Sequence, residues 1–460
     1  MSHHWLTQAG SFLDDWLQYQ AGQCIVPGFA VSVSYGNTLA YSRAFGYADL
    51  YAKQRLTPKH IFNIGSQSKM LTAILVMQLI KEGKLRPYDR VIKHIPWLAK
   101  HPDPKYRHIT VEQLLWHGAG LMREGRQADY WQLKQPFPDL LALQATVLDS
   151  ELITEGASRV KYSNVGYALL GQIIENTEQI PYADVAEARI IAPLGLTSTF
   201  VDYDAAKEAR VATGYTRHIN EQRLGVPKDI PANALSPAIG WYSTVEDMGR
   251  IVASLYGNDD TLLSNSTKEI LLYGERGQWQ PSDAGRDRYG LGFMAHDLEG
   301  RQILGHGGTF VGHRTCSYFD PGKGLGVMVM SNAHNAPAAE IAFGIFDVLA
   351  YFEQYAQTAP LPALKNFDVL LENIFGVKRV LVTAERIIGV DLEGWTPFDT
   401  IEVLTVVDPD RLKITNTHYL LADGEYVNYN RERGLVRTVN YAGHTMHSRT
   451  TLKTPNNTYG

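Results

Sequence analysis

Ser66 and Lys69 are the first two residues in this sequence whose types and spacing could do chemistry. They lie in the stretch Phe62-Asn63-Ile64-Gly65-Ser66-Gln67-Ser68-Lys69. A spacing of i to i+3 puts both on one helical face, close enough for a proton to pass between them. A serine at a helix N-terminus sits in the field of unpaired N–H groups, which favours negative charge on its oxygen or on a product oxyanion. Lysine suits the partner role because an ammonium loses its proton readily when desolvated or set near other cations. The pair also has a plainer reading, with Ser66 as a helix cap and Lys69 as a solvated first-turn residue. Serine–x–x–lysine is common by chance, so alone it is only a hypothesis.

The following run, Met70 to Ile80, is apolar almost all round, so its helix has to be buried in the middle of a domain. Two later stretches hold further candidates. Lys161-Tyr162-Ser163-Asn164 precedes the helical run 165–174, where Tyr162 and Asn164 also read as a helix-start tyrosine and an N-cap. Gly305-His306-Gly307-Gly308-Thr309 lies between two strand-like runs, where His306 also reads as a packed strand histidine and Gly307-Gly308 as a turn.

In that order, serine–x–x–lysine, tyrosine–x–asparagine and a cation–glycine–glycine triplet resemble the three signature elements of the serine β-lactamase and penicillin-binding-protein superfamily. The tyrosine form of the second element is similar to the class C enzymes and their S12-type peptidase, D-aminopeptidase and esterase relatives. Ile109 to Leu121 resembles the family's "LLxHxSGL" turn, with Ala119 where serine is usual. Ala238 to Asp247 resembles its "GGLxSTxxDL" segment. The resemblance covers roughly residues 5–355.

The resemblance implies an α+β fold: an antiparallel sheet flanked by helices, with an inserted helical subdomain and the active site between them. Carried over residue by residue, Ser66 is the nucleophile that forms an acyl-enzyme. Lys69 and Tyr162 form the base, and Tyr162 also passes a proton to the leaving group. Asn164 orients Lys69 and meets the substrate. The backbone N–H groups of Ser66 and Thr309 form the oxyanion hole. His306, Gly307 and Gly308 line the substrate site. His117 reads as a turn-structuring residue, and His313, near the third motif, is unassigned. β-Lactamases carry Lys where this chain has His306, and a histidine with a reference pKa near 6.5 is largely neutral at pH 7. Efficient penicillin hydrolysis is therefore not expected, and no separate deacylating glutamate stands out. The expected activity is a serine hydrolase cleaving amide bonds of small peptides or amino-acid amides, D-stereospecificity included. The alternatives are a carboxylesterase, a weak β-lactamase, or a non-catalytic binding protein on the same fold.

The rest of the chain sets bounds. Its 460 residues allow two or three domains. A net charge of −5 without a basic run points away from nucleic acid and anionic membranes. The start, Met1 to Gln8, has no basic or apolar leader, and no stretch approaches a membrane span, so a cytoplasmic protein is expected. Cys24 and Cys316 suit a reducing compartment, and no metal or other cofactor is implied. A homo-oligomer is compatible with all of this.

Pattern predicts an amphipathic helix over 5–20 and a hairpin of 29–35 and 39–45 turning at Gly36-Asn37. A mostly helical region over about 88–200 follows, then strands at 289–295, 302–304, 313–319 and 325–331, and a helix over 338–355. The hydrolase domain is placed at 1–357 and a Pro-containing linker at 358–365. Residues 366–460 read as seven short β-branched runs, the pattern of a small barrel or sandwich. They resemble the lipocalin-like domain appended to some peptidases of this superfamily.

Overall fold

A computed structural model of the chain describes residues 4–24, 26–217, 222–274, 277–278, 288–384, 386–416 and 422–450. The chain divides into two compact units, Val26–Ala339 and the combination of Met1–Ile25 with Glu340–Gly460.

The first unit is an α+β body around one antiparallel sheet of nine strands. In spatial order these are Gln54–Arg55, Thr38–Asp49, Gly28–Tyr35, Leu325–Ser331, His313–Asp320, Arg301–Phe310, Met294–Leu298, Arg288–Tyr289 and Gly277–Gln278. The predicted hairpin at Gly36 is present, and Gly28–Tyr35 pairs on its other side with Leu325–Ser331. The Val245–Ala253 helix lies on this sheet. Thr244 caps it by accepting from Asp247 N–H, and Ser32 Oγ donates to Val245 O at 2.6 Å. Between Phe62–Asn63 and Phe200–Val201 every named element is helical, as expected for the inserted region. A capping box at Thr110 forms with Gln113 and starts the Val111–Leu115 helix.

The Ser68–Lys81 helix is the axis of this unit. Eleven of its fourteen residues are buried, polar Ser68, Lys69 and Thr72 among them. A helix this apolar on every side is held by packing rather than by an amphipathic face. Its first turn differs from the expectation. Gly65–Gln67 winds as a 3₁₀ turn and the α-helix begins at Ser68, so Ser66 stands one turn before it.

Two strands also depart from the sequence reading. The run 289–295 is broken into Arg288–Tyr289 and Met294–Leu298, with Gly292 between them at φ +89°. A β-carbon there would sit 2.6 Å from Ala73 Cβ, so the backbone bends because it passes hard against the Ser68–Lys81 helix. The short run 302–304 extends through Phe310. Gly305 to Thr309 therefore lies within a strand and not between two.

In the second unit, eight antiparallel strands close into an up-and-down barrel: Val369–Asn373, Gly376–Thr383, Arg386–Asp391, Glu402–Asp408, Arg411–Asn416, Tyr426–Glu432, Leu435–Tyr441 and His444–Arg449. The strand missing from the sequence reading is the first. Its pairing with both Gly376–Thr383 and His444–Arg449 closes the ring. Phe367, Leu371, Val380, Leu412, Val427 and Val439 help fill the interior. The His4–Gln23 helix belongs to this unit. Trp16 Nε1 donates to Gly394 O at 3.0 Å and Gln20 Nε2 to Leu392 O at 2.8 Å. No helix among the described residues is long and apolar enough to cross a membrane.

Candidate active site

The 3₁₀ turn holds Ser66 by a net of hydrogen bonds to its neighbours. Asn63 Oδ1 accepts from Gly65 N–H at 2.7 Å, and Ser68 Oγ donates to Gly65 O at 2.6 Å. Gln67 Nε2 reaches across to Thr315 Oγ1 at 2.7 Å, tying the turn to the sheet. Two glycines let the turn and the Arg301–Phe310 strand meet backbone to backbone. A β-carbon on Gly65 (φ +55°) would lie 2.6 Å from Thr309 N, and one on Gly308 would lie 1.9 Å from Ile64 O. Thr309 is thereby pressed against the residue before Ser66, as two converging oxyanion donors require.

Lys69 is 0 % exposed. Its Nζ lies 3.1 Å from Ser66 Oγ, 2.7 Å from Asn164 Oδ1 and 2.9 Å from Ala238 O. Burial drives its pKa well below the ordinary lysine value, opposed by the charge of Glu124 and assisted by that of Arg123. Tyr162 hydrogen-bonds Ser66, and its ring lies under the Lys69 amine at 4.7 Å from the centroid. Burial raises the Tyr162 pKa, against its hydrogen bond with Ser66 and the charge of Arg123. The amine is therefore easily deprotonated and the phenol is hard to ionise. Lys69 in its neutral form can therefore accept a proton, while Tyr162 stays protonated.

The second motif is seated by His117, which has φ +61°. Lys161 N–H donates to His117 O at 2.8 Å and Ser163 N–H to His117 Nδ1 at 3.1 Å. The imidazole packs against Tyr162 at a tilt of 46°, with centroids 4.3 Å apart. Ser163, not Asn164, caps the Asn164–Glu178 helix by accepting from Gly166 N–H. This frees the Asn164 side chain to face Lys69.

His306 is buried, and both of its ring nitrogens have partners. Nδ1 is 2.5 Å from Gly307 O, which can only accept, so the proton sits on Nδ1 and Nε2 accepts from Tyr289 OH at 3.1 Å. Burial first, then Lys69, pushes its pKa down to about 3, so the third motif carries no charge at neutral pH. His313 is an internal tie. Its Nδ1 accepts from Asn63 N–H at 3.0 Å, its Nε2 faces Ala212 O at 3.1 Å, and burial lowers its pKa to about 4.

These residues open onto a cleft of 330 Å³, at the small end for ligand sites. Ser66, Tyr162, Asn164, His306, Gly307, Gly308 and Thr309 line it, with Lys69 directly behind Ser66. All eight residues singled out in the sequence thus come together. The cleft adds Arg123, Trp131, Met294, Arg314 and Tyr318, which sequence reasoning missed. Arg314 is exposed and donates to Thr309 Oγ1 at 2.7 Å. Glu124 was missed too, and only its place three residues after the Ala119-Gly120-Leu121 turn could have drawn attention to it. Beyond Gly305, which pairs with Met294, the described residues place no strand against the other edge of 306–310. Among the described residues no group of three His, Cys, Asp or Glu side chains could hold a metal ion.

A buried lysine against a serine in the turn before a core helix, with a glycine-lined strand edge opposite, is the arrangement of a serine hydrolase. The chain belongs to the beta-lactamase family, whose profile, described as Beta-lactamase, matches residues 13–350. It is 27% identical over 312 residues to penicillin-binding protein 4* of Bacillus subtilis, covering 63% of this chain and 65% of that one. Its fold is similar to that of an octameric penicillin-binding protein homologue from Pyrococcus abyssi, with a TM-score of 0.66, 22% identity, and 96% and 99% of the two chains covered. It is also similar to D-amino acid amidase from Ochrobactrum anthropi SV3, with a TM-score of 0.63, 22% identity, and 76% and 98% covered.

The close approach of Gly308 yields a direct test. In Gly308→Ala the added methyl must push the strand off Ile64 and draw Thr309 N–H away from Ser66. Hydrolysis should fall by about 10²-fold or more, as for loss of one oxyanion donor. Thermal unfolding should show a loss of about 1–3 kcal/mol, the usual cost of overpacking.

Proposed function

We propose that the protein works through an acyl-enzyme on amide bonds of small peptides or amino-acid amides. The observation that carries this reading is the buried Lys69 amine 3.1 Å from Ser66 Oγ, at the end of an open strand edge. Neutral Lys69 takes the hydroxyl proton as Ser66 Oγ bonds to the substrate carbonyl carbon. The N–H groups of Ser66 and Thr309 hold the oxygen that becomes negative. Tyr162, kept protonated by burial, gives its proton to the leaving amine as the C–N bond breaks, and the Lys69 ammonium restores it. Water then repeats the sequence on the acyl-enzyme, with Lys69 again as base.

Two features favour peptides. The edge of 306–310, against which the described residues place no strand, suits an extended backbone added as a further strand. Arg123 and Arg314 place positive charge in the cleft while His306 is neutral, which suits a substrate carboxylate and so an exopeptidase. The amidase named among the structural neighbours supports the same substrate class and admits D-stereospecificity. The octameric homologue makes a homo-oligomer part of the proposal. A carboxylesterase is the alternative, because an activated serine and an oxyanion hole serve esters equally well.

Intact-protein mass spectrometry after a serine-directed phosphonate should show one adduct on wild type and none on Ser66→Ala. A panel of L- and D-amino-acid amides, dipeptides and short esters then separates the two activities. Amide or peptide turnover that falls about 10⁴-fold or more in Ser66→Ala is expected. Turnover of esters alone would replace the amidase reading with the esterase one.

Arg314→Gln should raise KM about tenfold for peptides bearing a free carboxylate, and less for their amides. Equal effects on both would remove Arg314 from substrate recognition.

A further inference from the structure

Behind Asn164 lies a carboxylate that the mechanism above does not use. Glu124 has a side chain only 9% exposed, in the loop that leads away from the His117 turn. Its Oε1 accepts from Asn164 Nδ2 at 2.5 Å and from Arg123 Nε at 3.2 Å, and its Oε2 accepts from Tyr130 OH at 2.9 Å. Tyr130 is itself buried, packed with Phe137 at 4.9 Å between centroids. The carboxylate is thus fixed from two sides.

A carboxylate can only accept, so the Asn164 amide must turn its nitrogen to Glu124 and its oxygen to Lys69. The opposite flip would set an N–H₂ group against an ammonium and a carbonyl against a carboxylate. The chain Glu124–Asn164–Lys69–Ser66 is continuous, each link a hydrogen bond of 2.5 to 3.1 Å. We propose that Glu124 is a positioning residue whose carboxylate locks the Asn164 amide onto Lys69 and sets a negative charge at the end of that hydrogen-bonded chain. This rests on the reading of Lys69 as the base.

The groups facing Lys69 fix the sign. Burial and Arg123 favour the neutral amine, Glu124 favours the ammonium, and His117 and His306, both in its field, are themselves neutral. Tyr162 and Tyr167 present ring faces at 4.7 and 5.5 Å. Lys161, a further cation, bears on His117, to whose carbonyl its backbone N–H donates. Glu124 is thus the carboxylate that opposes deprotonation of Lys69. A base that must lose a proton before it acts confines the reaction to the alkaline side of its titration. Removing the Glu124 charge should extend reactivity to lower pH, even if the maximal rate falls.

The test is the pH dependence of phosphonate labelling of Ser66, followed by mass spectrometry, in wild type, Glu124→Gln and Tyr130→Phe. Glutamine keeps an acceptor for Asn164 Nδ2 and loses the charge. Its acid limb should move to lower pH, so that well below the wild-type midpoint the fraction of its own maximal rate is about threefold or more above that of wild type. Tyr130→Phe keeps the charge and removes a proton donor from it, so its limb should stay or move to higher pH. An unchanged or raised limb in a folded Glu124→Gln, or a lowered limb in Tyr130→Phe, overturns the proposal, and the second result decides the matter if Glu124→Gln does not fold. Wild type that labels nowhere in pH would fail the reading of Ser66 and Lys69 instead, so the two failures are distinct.

Discussion

The structure of the cleft depends on burying one amine. An ammonium taken out of water is costly unless paired and hydrogen-bonded. Lys69 meets three oxygens, from Ser66, Asn164 and Ala238, and each comes from a different part of the fold. The Ser66 oxygen arrives with the 3₁₀ turn, the Asn164 oxygen with the helix seated by His117, and the Ala238 carbonyl with the short helix Ser236–Ile239. Moving any one of them strands a polar group in an apolar core. The same burial supplies the chemistry, because a lysine that is expensive to charge gives up its proton more readily than an exposed one. Stability and reactivity therefore pull on one atom in opposite directions.

Backbone contact is the second constraint. The Arg301–Phe310 strand reaches the 3₁₀ turn only because Gly65 and Gly308 have no β-carbons. Gly292 allows the same closeness on the far side, where its backbone crosses the lysine helix beside Ala73 and Lys69 O. The site is thus held by main chain packed on main chain, which leaves little freedom to relax. Side chains then tune it. His306 gives its proton to Gly307 O and takes one from Tyr289, which makes it part of the wall and leaves positive charge in the cleft to the arginines.

Much of this was legible in the sequence. The apolar run after Ser66 and the three ordered motifs pointed to the core helix and to eight residues that the fold brings to one cleft. Local signals of that kind survive without a structure because they act between near neighbours. What escaped acts over long range. The strand carrying His306 was read as ending at 304 because the glycines that follow resemble a turn, and only the facing backbone explains them. Arg314 and Trp131 enter the cleft by tertiary placement, and Glu124 meets Asn164 from forty residues away. In the barrel, Val369–Asn373 was missed because closure against His444–Arg449 gives it a partner that no local pattern announces.

The central claim is that the amine beside Ser66 is neutral, or nearly so, in the working protein. Nitrogen-15 resonances of the lysine side chains, with Lys69 identified by its loss in Lys69→Arg, would report its titration directly. The account predicts a midpoint well below the ordinary lysine value of 10.5 and apart from the exposed lysines. A Lys69 signal that titrates with the exposed lysines or above them would contradict it and return the role of base to Tyr162.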